Sequence, residues 1–481
     1  MKHADLRVAE CHAFQALGQR ILLNVETSLF YAVNNVSLDL VGYCSRLGMH
    51  KGMSLARRRY RREDVEEAAS YLASEGFFTT APPPKPAPEH RSYPLRTLEL
   101  CVTHGCNLAC RYCYGRTPLP ANDASCFLYG ASTAPMSEET AFRGIDYLFA
   151  NSGRLRKVHV TYFGGEPLLN FPLIKAVTRY CRAREKQHGK EAELSVVTNG
   201  VLLDEERVHF FNQHRVSVQV SMDGPKGIHD ANRSFRDGSG SYDVMLPGVK
   251  QLLKNRNGRV PVRATAAHGA LELRAVLEHL LGLGFRSVHI EPALGGDGKS
   301  AFNEQDLDQM LAQEEEVAAL IVDRIQQGEF LDYHSLVRHV RATRLVRDRR
   351  YFFCGAGRGL LCLSNEGKFY PCHRFAGIEE YCLGDLDEGI DESKRAPFRT
   401  LHVGRRPGCR TCWARYFCGG GCWKHAHDAH GGLEQPDEQF SCRIVRRQTE
   451  LAMAINAALG VTDQEIVSGR YEAASAQQSS S

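Results

Sequence analysis

The stretch "CVTHGCNLACRYCYG", residues 101–115, contains four cysteines, and Cys106, Cys110 and Cys113 follow the spacing C-x3-C-x2-C. It overlaps the run "TLELCVT", residues 97–103, whose apolar and β-branched residues predict a buried strand. Three thiolates on one loop are ligands for zinc or for an iron–sulfur cluster. A four-iron cluster held by three cysteines keeps one iron free of protein ligands, so a small molecule can bind there. The spacing therefore predicts a metal-binding loop at the end of a strand.

The composition narrows the class of protein. The chain has 481 residues, of which 43% are hydrophobic, with a net charge of +4 and 17 cysteines. The N-terminal residues lack the basic segment followed by an apolar segment that is typical of a signal peptide. No stretch of the sequence approaches the roughly 18 apolar residues of a membrane span. We therefore expect a cytoplasmic protein whose clustered cysteines bind metal rather than form disulfides. The small net charge does not indicate nucleic acid, and the basic run at residues 57–62 is interpreted as a solvated helix start.

Breaks in composition divide the chain into five parts. The run "TTAPPPKPAPEH", residues 79–90, favours an extended linker, and the end, "AASAQQSSS", has few apolar residues to bury. Before the linker, short strands and amphipathic helices predict a small module that binds rather than catalyses. The predicted parts are a module at 1–80, a linker at 81–94, a catalytic domain at 95–330, a second metal-binding domain at 331–460 and a disordered tail at 461–481.

Strand and helix patterns alternate between residues 97 and 328. Six strand-like runs, from "TLELCVT" to "SVHIEPAL", alternate with helical runs such as "SEETAFRGIDYLFA". Ser137 and Asp204 stand where helix N-caps are expected. Six such units predict an α/β fold, a partial (β/α)6 barrel of parallel strands, with ligands bound at the carboxyl ends of the strands.

The motifs at these strand ends resemble those of radical S-adenosylmethionine (SAM) enzymes. The cysteine loop, with Tyr112 inside it and Tyr114 after it, is similar to the family signature, and "FGGEP" (163–167), "TNG" (198–200) and "SMDGP" (221–225) follow at successive strand ends. The resemblance implies a [4Fe-4S] cluster on the three loop cysteines and a deoxyadenosyl radical made from SAM. The resemblance further implies that SAM is bound by Tyr112, Gly164, Gly165, Glu166, Thr198, Asn199, Ser221, Arg233 and Leu294.

A second group of cysteines begins at Cys354 and reads C-x12-G-x4-C, then C-x2-C-x5-C-x3-C-x19-C. This order resembles the SPASM domain, which carries auxiliary clusters in radical SAM enzymes that modify peptides. The resemblance implies one auxiliary [4Fe-4S] cluster on Cys354, Cys372 and Cys422, with Cys362 as a further candidate ligand, and another on Cys409, Cys412, Cys418 and Cys442. If Cys362 is a ligand, the first auxiliary cluster is an electron relay; if not, its open iron could bind a substrate sulfur.

The remaining signals of this region are local. The run "RGLLCLSNEGKFYPC", residues 358–372, predicts a β-hairpin around an Asn-Glu-Gly turn that ends at Cys372. The other six cysteines lie in apolar or isolated settings and are interpreted as packing residues. They are Cys11, Cys44, Cys101, Cys126, Cys181 and Cys382.

Two further resemblances concern the substrate. Residues 12–35, "HAFQALGQRILLNVETSLFYAVNN", resemble the PqqD-like element that binds a leader peptide by strand addition. Residues 351–377 resemble the subgroup that forms thioether cross-links between a cysteine sulfur and a carbon, which includes the maturases of quinohemoprotein amine dehydrogenase. The resemblance implies a peptide or small protein substrate with a leader and a reducing partner such as flavodoxin or ferredoxin, with no nucleic acid and no membrane.

Several alternatives stay open. Anaerobic sulfatase maturases share the implied fold, but there an aspartate base follows the cysteine of the G-x4-C motif, where this chain has His373, our candidate base. Carbon-to-carbon cyclophane formation is a second alternative. Zinc at either cysteine group is a third, with His104 as the fourth ligand of the loop. A cluster-bearing electron-transfer or peptide-binding scaffold is the last, and it leaves the strand-end motifs unexplained.

Overall fold

A computed structural model describes residues 6–82, 93–115, 134–256, 258–294, 302–344 and 349–459. Most of the predicted linker, the predicted tail and Cys126 lie outside the described residues. Among the described residues, no helix combines the length and apolar character needed to cross a membrane.

The N-terminal module contains a three-stranded antiparallel sheet, a two-stranded antiparallel pair and three helices. Strands β2 (Cys11–Ala16), β3 (Gln19–Asn24) and β4 (Leu29–Ala32) form one sheet in that order, and β1 (Arg7–Val8) pairs with β5 (Phe78–Thr79). The helices are α1 (Asn35–Leu47), α2 (Met49–Arg59) and α3 (Arg62–Ser74). The basic run at residues 57–62 mainly ends α2 instead of starting a helix, because cationic side chains are stabilised in the last turn by the helix dipole.

Strand β3 is buried on both faces, which explains its unbroken apolar run "ILL". Leu22 packs into the core that α1 and α3 share with the sheet. Ile21 and Leu23 point the other way and form a separate cluster with Phe417 and Met453 of the C-terminal region. The module is therefore joined to the C-terminal region by an apolar face.

The six predicted strands of the central region are confirmed. They are β6 (Thr97–Thr103), β7 (Lys157–Gly164), β8 (Glu191–Thr198), β9 (Val216–Ser221), β10 (Pro261–Ala266) and β11 (Ser287–Pro292), all parallel and adjacent in chain order. The helices between and after them are α4 (Glu138–Asn151), α5 (Phe171–His188), α6 (Glu205–Gln213), α7 (Lys226–Asn232), α8 (Tyr242–Asn255), α9 (Leu273–Gly282), α10 (Glu304–Gln326) and α11 (His334–Arg344).

Two helix starts are capped as expected. The side chain of Ser137 accepts the backbone N–H of Thr140 at the start of α4. The side chain of Asp204 does the same for Arg207 at the start of α6. These bonds satisfy N–H groups that have no partner inside the helix.

The C-terminal region extends the central sheet. The predicted hairpin is confirmed as β12 (Leu360–Leu363) and β13 (Lys368–Tyr370), and β12 also pairs in parallel with β6. With β14 (Gly384–Asp385) and β15 (Gly389–Ile390) it makes a ten-stranded sheet. The remaining helices are α12 (Glu392–Thr400), α13 (Pro407–Arg410), α14 (Arg415–Cys418), α15 (Trp423–His430) and α16 (Ser441–Ala458). The hairpin thus places Cys372 beside the first strand of the parallel sheet.

Candidate active site

The three-cysteine loop leaves the carboxyl end of β6. Cys106, Cys110 and Cys113 all face one cavity of about 360 Å³. The backbone N–H of Leu108 donates to the sulfur of Cys106 at 3.5 Å. Burial raises the pKa of the Cys106 thiol to about 12, so the thiolate needs a cation to form, as a bound metal provides.

The loop is anchored by the last residue of α7 and the segment that follows it. The backbone N–H of Ala109 donates to the carbonyl of Ser234 at 2.8 Å. Arg111 donates to Asn232 twice, from its backbone N–H to the carbonyl at 3.0 Å and from Nε to the side-chain oxygen at 2.7 Å. Asn232 and Ser234, on either side of Arg233, therefore fix the path of the cysteine loop, a role that the sequence did not indicate.

A buried charge pair lies under the same loop. Tyr112 donates its hydroxyl to Asp223 at 2.6 Å, and Arg233 contacts the other oxygen of Asp223 at 3.0 Å. The guanidinium of Arg233 also lies 5.4 Å from the centre of the Tyr112 ring. Burial alone would lower the pKa of Arg233, but Asp223, Tyr112 and Cys110 together outweigh burial and raise the pKa, so Arg233 keeps its positive charge. Both Tyr112 and Arg233 line the cavity.

The glycines of "FGGEP" allow two pieces of backbone to touch. Gly164 has φ of +129°, and a Cβ atom there would overlap the carbonyl oxygen of Thr103. A Cβ atom on Gly165 would overlap the carbonyl oxygen of Gly105. The N–H of Gly165 donates to Thr103 at 2.9 Å, so the end of β7 is bonded directly to the start of the cysteine loop.

Glu166 holds the neighbouring strand end. One carboxylate oxygen accepts the Thr198 hydroxyl at 2.8 Å and the N–H of Leu168 at 3.0 Å, and the other accepts the N–H of Asn199 at 2.7 Å. Burial raises the pKa of Glu166 to about 7, although these hydrogen bonds oppose the shift. Glu166 is not among the residues that line the cavity, and its contacts make it a positioning residue for Thr198 and Asn199.

The other predicted SAM contacts converge on the cavity. Asn199 donates to Asn107 at 2.7 Å and lies 4.0 Å from the sulfur of Cys106. The predicted SAM residues that line the cavity are Tyr112, Gly164, Gly165, Thr198, Asn199, Ser221, Arg233 and Leu294. Residues that are far apart in the sequence thus meet at one edge of the sheet.

These features fit a cluster on three cysteines with SAM beside it. Three thiols line the cavity, free space adjoins them, and the cation of Arg233 matches a ligand carboxylate. Within the described ranges, no three cysteine, histidine or carboxylate side chains are close enough to hold one metal ion. A four-iron cluster is several atoms wide, so its cysteines stand farther apart than the ligands of a single ion. His104 is buried and is not among the cavity-lining residues.

His373 also lines the cavity and is held by Glu99. Its backbone N–H donates to one oxygen of Glu99 at 2.7 Å, and its Nδ1 lies 2.8 Å from the other. Phe163 stacks on the imidazole with 4.1 Å between the ring centres. Nδ1 is therefore the ring nitrogen that Glu99 holds, and Nε2 is the one that Glu99 does not contact. The sequence signal for Glu99 was a charged residue inside an otherwise apolar strand.

The first auxiliary group lies behind His373. Burial is the main cause that raises the pKa of both Cys354, to about 11, and Cys372. Charge on Cys422 raises both values further, which places the three sulfurs near one another. Arg374 donates to the sulfur of Cys422 at 3.5 Å. Three neighbouring thiols beside a cationic N–H donor fit a cluster held by these cysteines.

Cys362 has a different neighbour. It is fully buried on β12, and its sulfur lies 3.4 Å from the sulfur of Cys101 on the adjacent strand β6. Burial is the main cause that raises its pKa, and Cys101, Glu99 and Cys372 contribute. The structure therefore pairs Cys362 with a thiol of the sheet. Cys44, Cys181 and Cys382 are buried and Cys11 is half-buried, as expected of packing residues.

The second auxiliary group surrounds a narrow pocket. Cys409, Cys412, Cys418 and Cys442 all line a space of about 20 Å³. Burial raises the pKa of Cys409 to about 11 and is also the main cause for the raised pKa of Cys442. Four thiols on one pocket fit a cluster with a full set of protein ligands.

Comparison with known proteins agrees with this geometry. A model of the Radical SAM superfamily matches residues 100–270, from the last residues of β6 to just beyond β10. The protein is a radical SAM enzyme. Such enzymes use a [4Fe-4S] cluster and SAM, and when bound these supply a one-electron step that removes hydrogen from carbon.

Several relatives cover most of this radical SAM enzyme. The serine-type anaerobic sulfatase-maturating enzyme of Klebsiella aerogenes is 26% identical over 367 residues, which cover 71% of this chain and 83% of that protein. A solved structure of native anSMEcpe with bound AdoMet has a TM-score of 0.62 at 19% identity and covers 76% of this chain and 99% of its own. A solved structure of Streptococcus suis SuiB bound to precursor peptide SuiA has a TM-score of 0.51 at 14% identity. It covers 91% of this chain and 100% of its own. Both solved structures share the fold of this chain.

Proposed function

We propose that the protein is a maturase that installs thioether cross-links, joining a cysteine sulfur to a carbon, in a ribosomally made peptide. The observation that carries the proposal is the shared cavity of about 360 Å³. The three-cysteine loop and the strand-end motifs line it together with His373, Arg374 and His425 of the C-terminal region. A peptide in this space would lie between the SAM residues and the auxiliary cysteines.

The relatives support a peptide or protein substrate. The Klebsiella protein is named for maturating sulfatases, and SuiB was solved with a precursor peptide. These names describe chemistry on polypeptides, and we extend that substrate class to this chain.

The chain's own residues suit thioether closure. The reaction removes one hydrogen from carbon and one from a thiol, so a proton acceptor must face the cavity. His373 is the candidate base, because Glu99 holds its Nδ1 and leaves Nε2 free to accept the thiol proton. One electron must also leave the site, and the two auxiliary groups would hold the acceptors. Cys372 directly precedes His373, so the first group adjoins the base.

The N-terminal module is proposed to bind the leader. Strand β4 pairs with β3 on one edge and forms no ladder on its other edge among the described residues. A groove of about 420 Å³ lies beside it, between β4 and α3, and is lined by Asn34, Asp64, Glu67 and Tyr71 among others. An extended peptide can add to such an edge as a further strand. This is the PqqD-like role that the sequence predicted.

A sulfatase maturase is the second candidate. Its support is the 26% identity to the Klebsiella enzyme over most of both chains. Two features favour the thioether assignment instead, namely His373 in place of the aspartate base and the additional module at residues 6–82.

The test is an anaerobic reaction of the iron-loaded protein with reductant, SAM and a cysteine-rich peptide encoded beside its gene. Thioether formation predicts deoxyadenosine, a mass loss of about two hydrogens per cross-link and a matching loss of thiols that react with an alkylating agent. A matched peptide with every cysteine changed to alanine should stay unmodified.

Other outcomes identify the alternatives. The same mass loss with all thiols still reactive would indicate a cyclophane, and a product that reacts with a hydrazide would indicate formylglycine. A fully loaded protein that forms no deoxyadenosine would contradict the maturase proposal and favour the scaffold.

A further inference from the structure

Arg374 lines the cavity and contacts two distant parts of the chain. It follows Cys372 and His373 in a short turn, and its Nη1 donates to the sulfur of Cys422 at 3.5 Å. The same nitrogen lies 2.8 Å from Nε2 of His425. Its guanidinium also lies 5.0 Å from the centre of the ring of Tyr114, which directly follows the cysteine loop. One side chain therefore contacts an auxiliary cysteine and the segment next to the SAM loop.

The guanidinium keeps its charge although it is largely enclosed. A guanidinium is not deprotonated in proteins, and that of Arg374 donates to the sulfur of Cys422. In the part of the chain that the structure describes, Nε of Arg374 and Nδ1 of His425 are buried without hydrogen-bond partners. Both side chains line the cavity. A fixed positive charge thus stands between the thiols and the reaction space.

An N–H donor of this kind changes the reduction potential of an iron–sulfur cluster that the thiols hold. An N–H bond to a ligating sulfur, and a positive charge beside it, stabilise the more negative, reduced state of an iron–sulfur cluster. We propose that Arg374 raises the reduction potential of the auxiliary cluster on Cys354, Cys372 and Cys422, so that this cluster can take up the electron left by the reaction. The inference rests on the proposed function, because it assumes that auxiliary cluster.

Arg358 supplies a matched control. It too is a partly buried arginine close to the same group, and its Nη2 donates to the carbonyl oxygen of Cys354 at 2.6 Å. It stacks on Phe352 at 3.9 Å and is not among the cavity-lining residues. Removing Arg358 therefore removes a nearby charge while leaving the bond to the Cys422 sulfur in place.

The experiment is an anaerobic redox titration of the full chain, followed by electron paramagnetic resonance. The signal of this cluster is identified by its loss in Cys372→Ser. Wild type, Arg374→Gln, Arg374→Lys and Arg358→Gln are compared after iron analysis. We expect the midpoint potential to shift lower in Arg374→Gln, to shift less in Arg374→Lys, which keeps the charge, and to change least in Arg358→Gln.

The outcomes separate this proposal from the proposed function. Full iron content with the wild-type potential in Arg374→Gln would overturn the role of Arg374 alone. Equal shifts in Arg374→Gln and Arg358→Gln would also overturn it, because charge anywhere nearby would then suffice. If Arg374→Gln fails to load iron, the midpoint potential of Arg374→Lys is compared with that of the wild type. A lower potential in Arg374→Lys would support the proposal, and an unchanged potential would overturn it. A wild-type protein with the iron of one cluster only would overturn both this proposal and the auxiliary clusters.

Discussion

The two best-defined cysteine groups differ in the space they face. Cys106, Cys110 and Cys113 stand on the wall of a cavity of about 360 Å³, whereas the four cysteines around Cys418 face a pocket of about 20 Å³. Three ligands beside open space suit a group that must also bind a small molecule. Four ligands around a narrow pocket suit a group that only exchanges electrons. The number of thiols and the volume of the adjoining cavity thus indicate different functions for the two cysteine groups.

The largest expected effect is loss of the open site. Changing Cys106, Cys110 and Cys113 together to alanine should abolish SAM cleavage and peptide modification, because these are the thiols that face the SAM residues. The measurement is deoxyadenosine by chromatography, with iron content as the control for the auxiliary groups. Retained cleavage would contradict the assignment of this loop.

Loss of one ligand from the narrow pocket should have a different signature. Cys418→Ala should lose the cross-linked product while some deoxyadenosine is still formed, because the open site remains intact. Both products are measured in the same reaction. Cys181→Ala, a buried packing cysteine, is the control and should keep both. Full product from Cys418→Ala would remove the relay role.

The contact between β7 and the loop is the next test. Gly165→Ala should reduce the iron bound by the three-cysteine loop, because its Cβ would overlap the backbone of Gly105. Gly227→Ala is the matched control on helix α7, where a Cβ meets nothing within 4 Å. Alanine there should stabilise the protein by up to about 1 kcal/mol. Thermal unfolding and iron analysis of both variants distinguish the two effects, and equal iron contents would count against the close approach.

The ion pair of Arg233 and Asp223 should affect the affinity for SAM. Asp223→Asn leaves Arg233 without its counter-charge and weakens the bond from Tyr112, so we expect SAM affinity to fall about tenfold. Anaerobic equilibrium dialysis measures it. Asp243→Asn, which removes an exposed carboxylate paired with Lys226, should leave affinity unchanged. Unchanged affinity in Asp223→Asn would mean that Arg233 is held by other contacts.

The smallest effect concerns the wall of the narrow pocket. Arg415 lines this pocket and is paired with Glu10 of the N-terminal module at 2.5 Å. Glu10→Gln should lower the free energy of unfolding by less than about 1 kcal/mol, because Glu10 is 42% exposed. Urea unfolding of the iron-loaded protein measures it against Glu278→Gln, which removes an exposed ion pair elsewhere. Faster loss of iron in air from Glu10→Gln alone would show that the module protects the second group.

Local patterns accounted for much of the architecture. Hydrophobic periodicity and turn chemistry, which act over a few residues, account for the six parallel strands, the caps at Ser137 and Asp204 and the hairpin around Gly367. The apolar pattern of α2 is broken by Gly52, whose hydrogen side chain lets the backbone of α1 approach at Cys44.

The contacts across the site needed the folded chain. Glu99 and His373 are far apart in sequence, and they meet because β12 pairs with β6. The same pairing brings Cys362 against Cys101. No local pattern encodes which strand a hairpin joins, because that choice depends on long-range packing.

The sequence by itself determined the kind of chemistry. Ligand type and spacing in "CVTHGCNLACRYCYG" are local properties of the chain, and so are the motifs that end successive strands. Only the tertiary structure decided which side chains share a space. It turned Glu166 toward Thr198 and Asn199, and it placed Arg374 between Cys422 and Tyr114. The physical reason is that the direction of a buried polar group is set by the partners that folding supplies, and those partners come from distant strands.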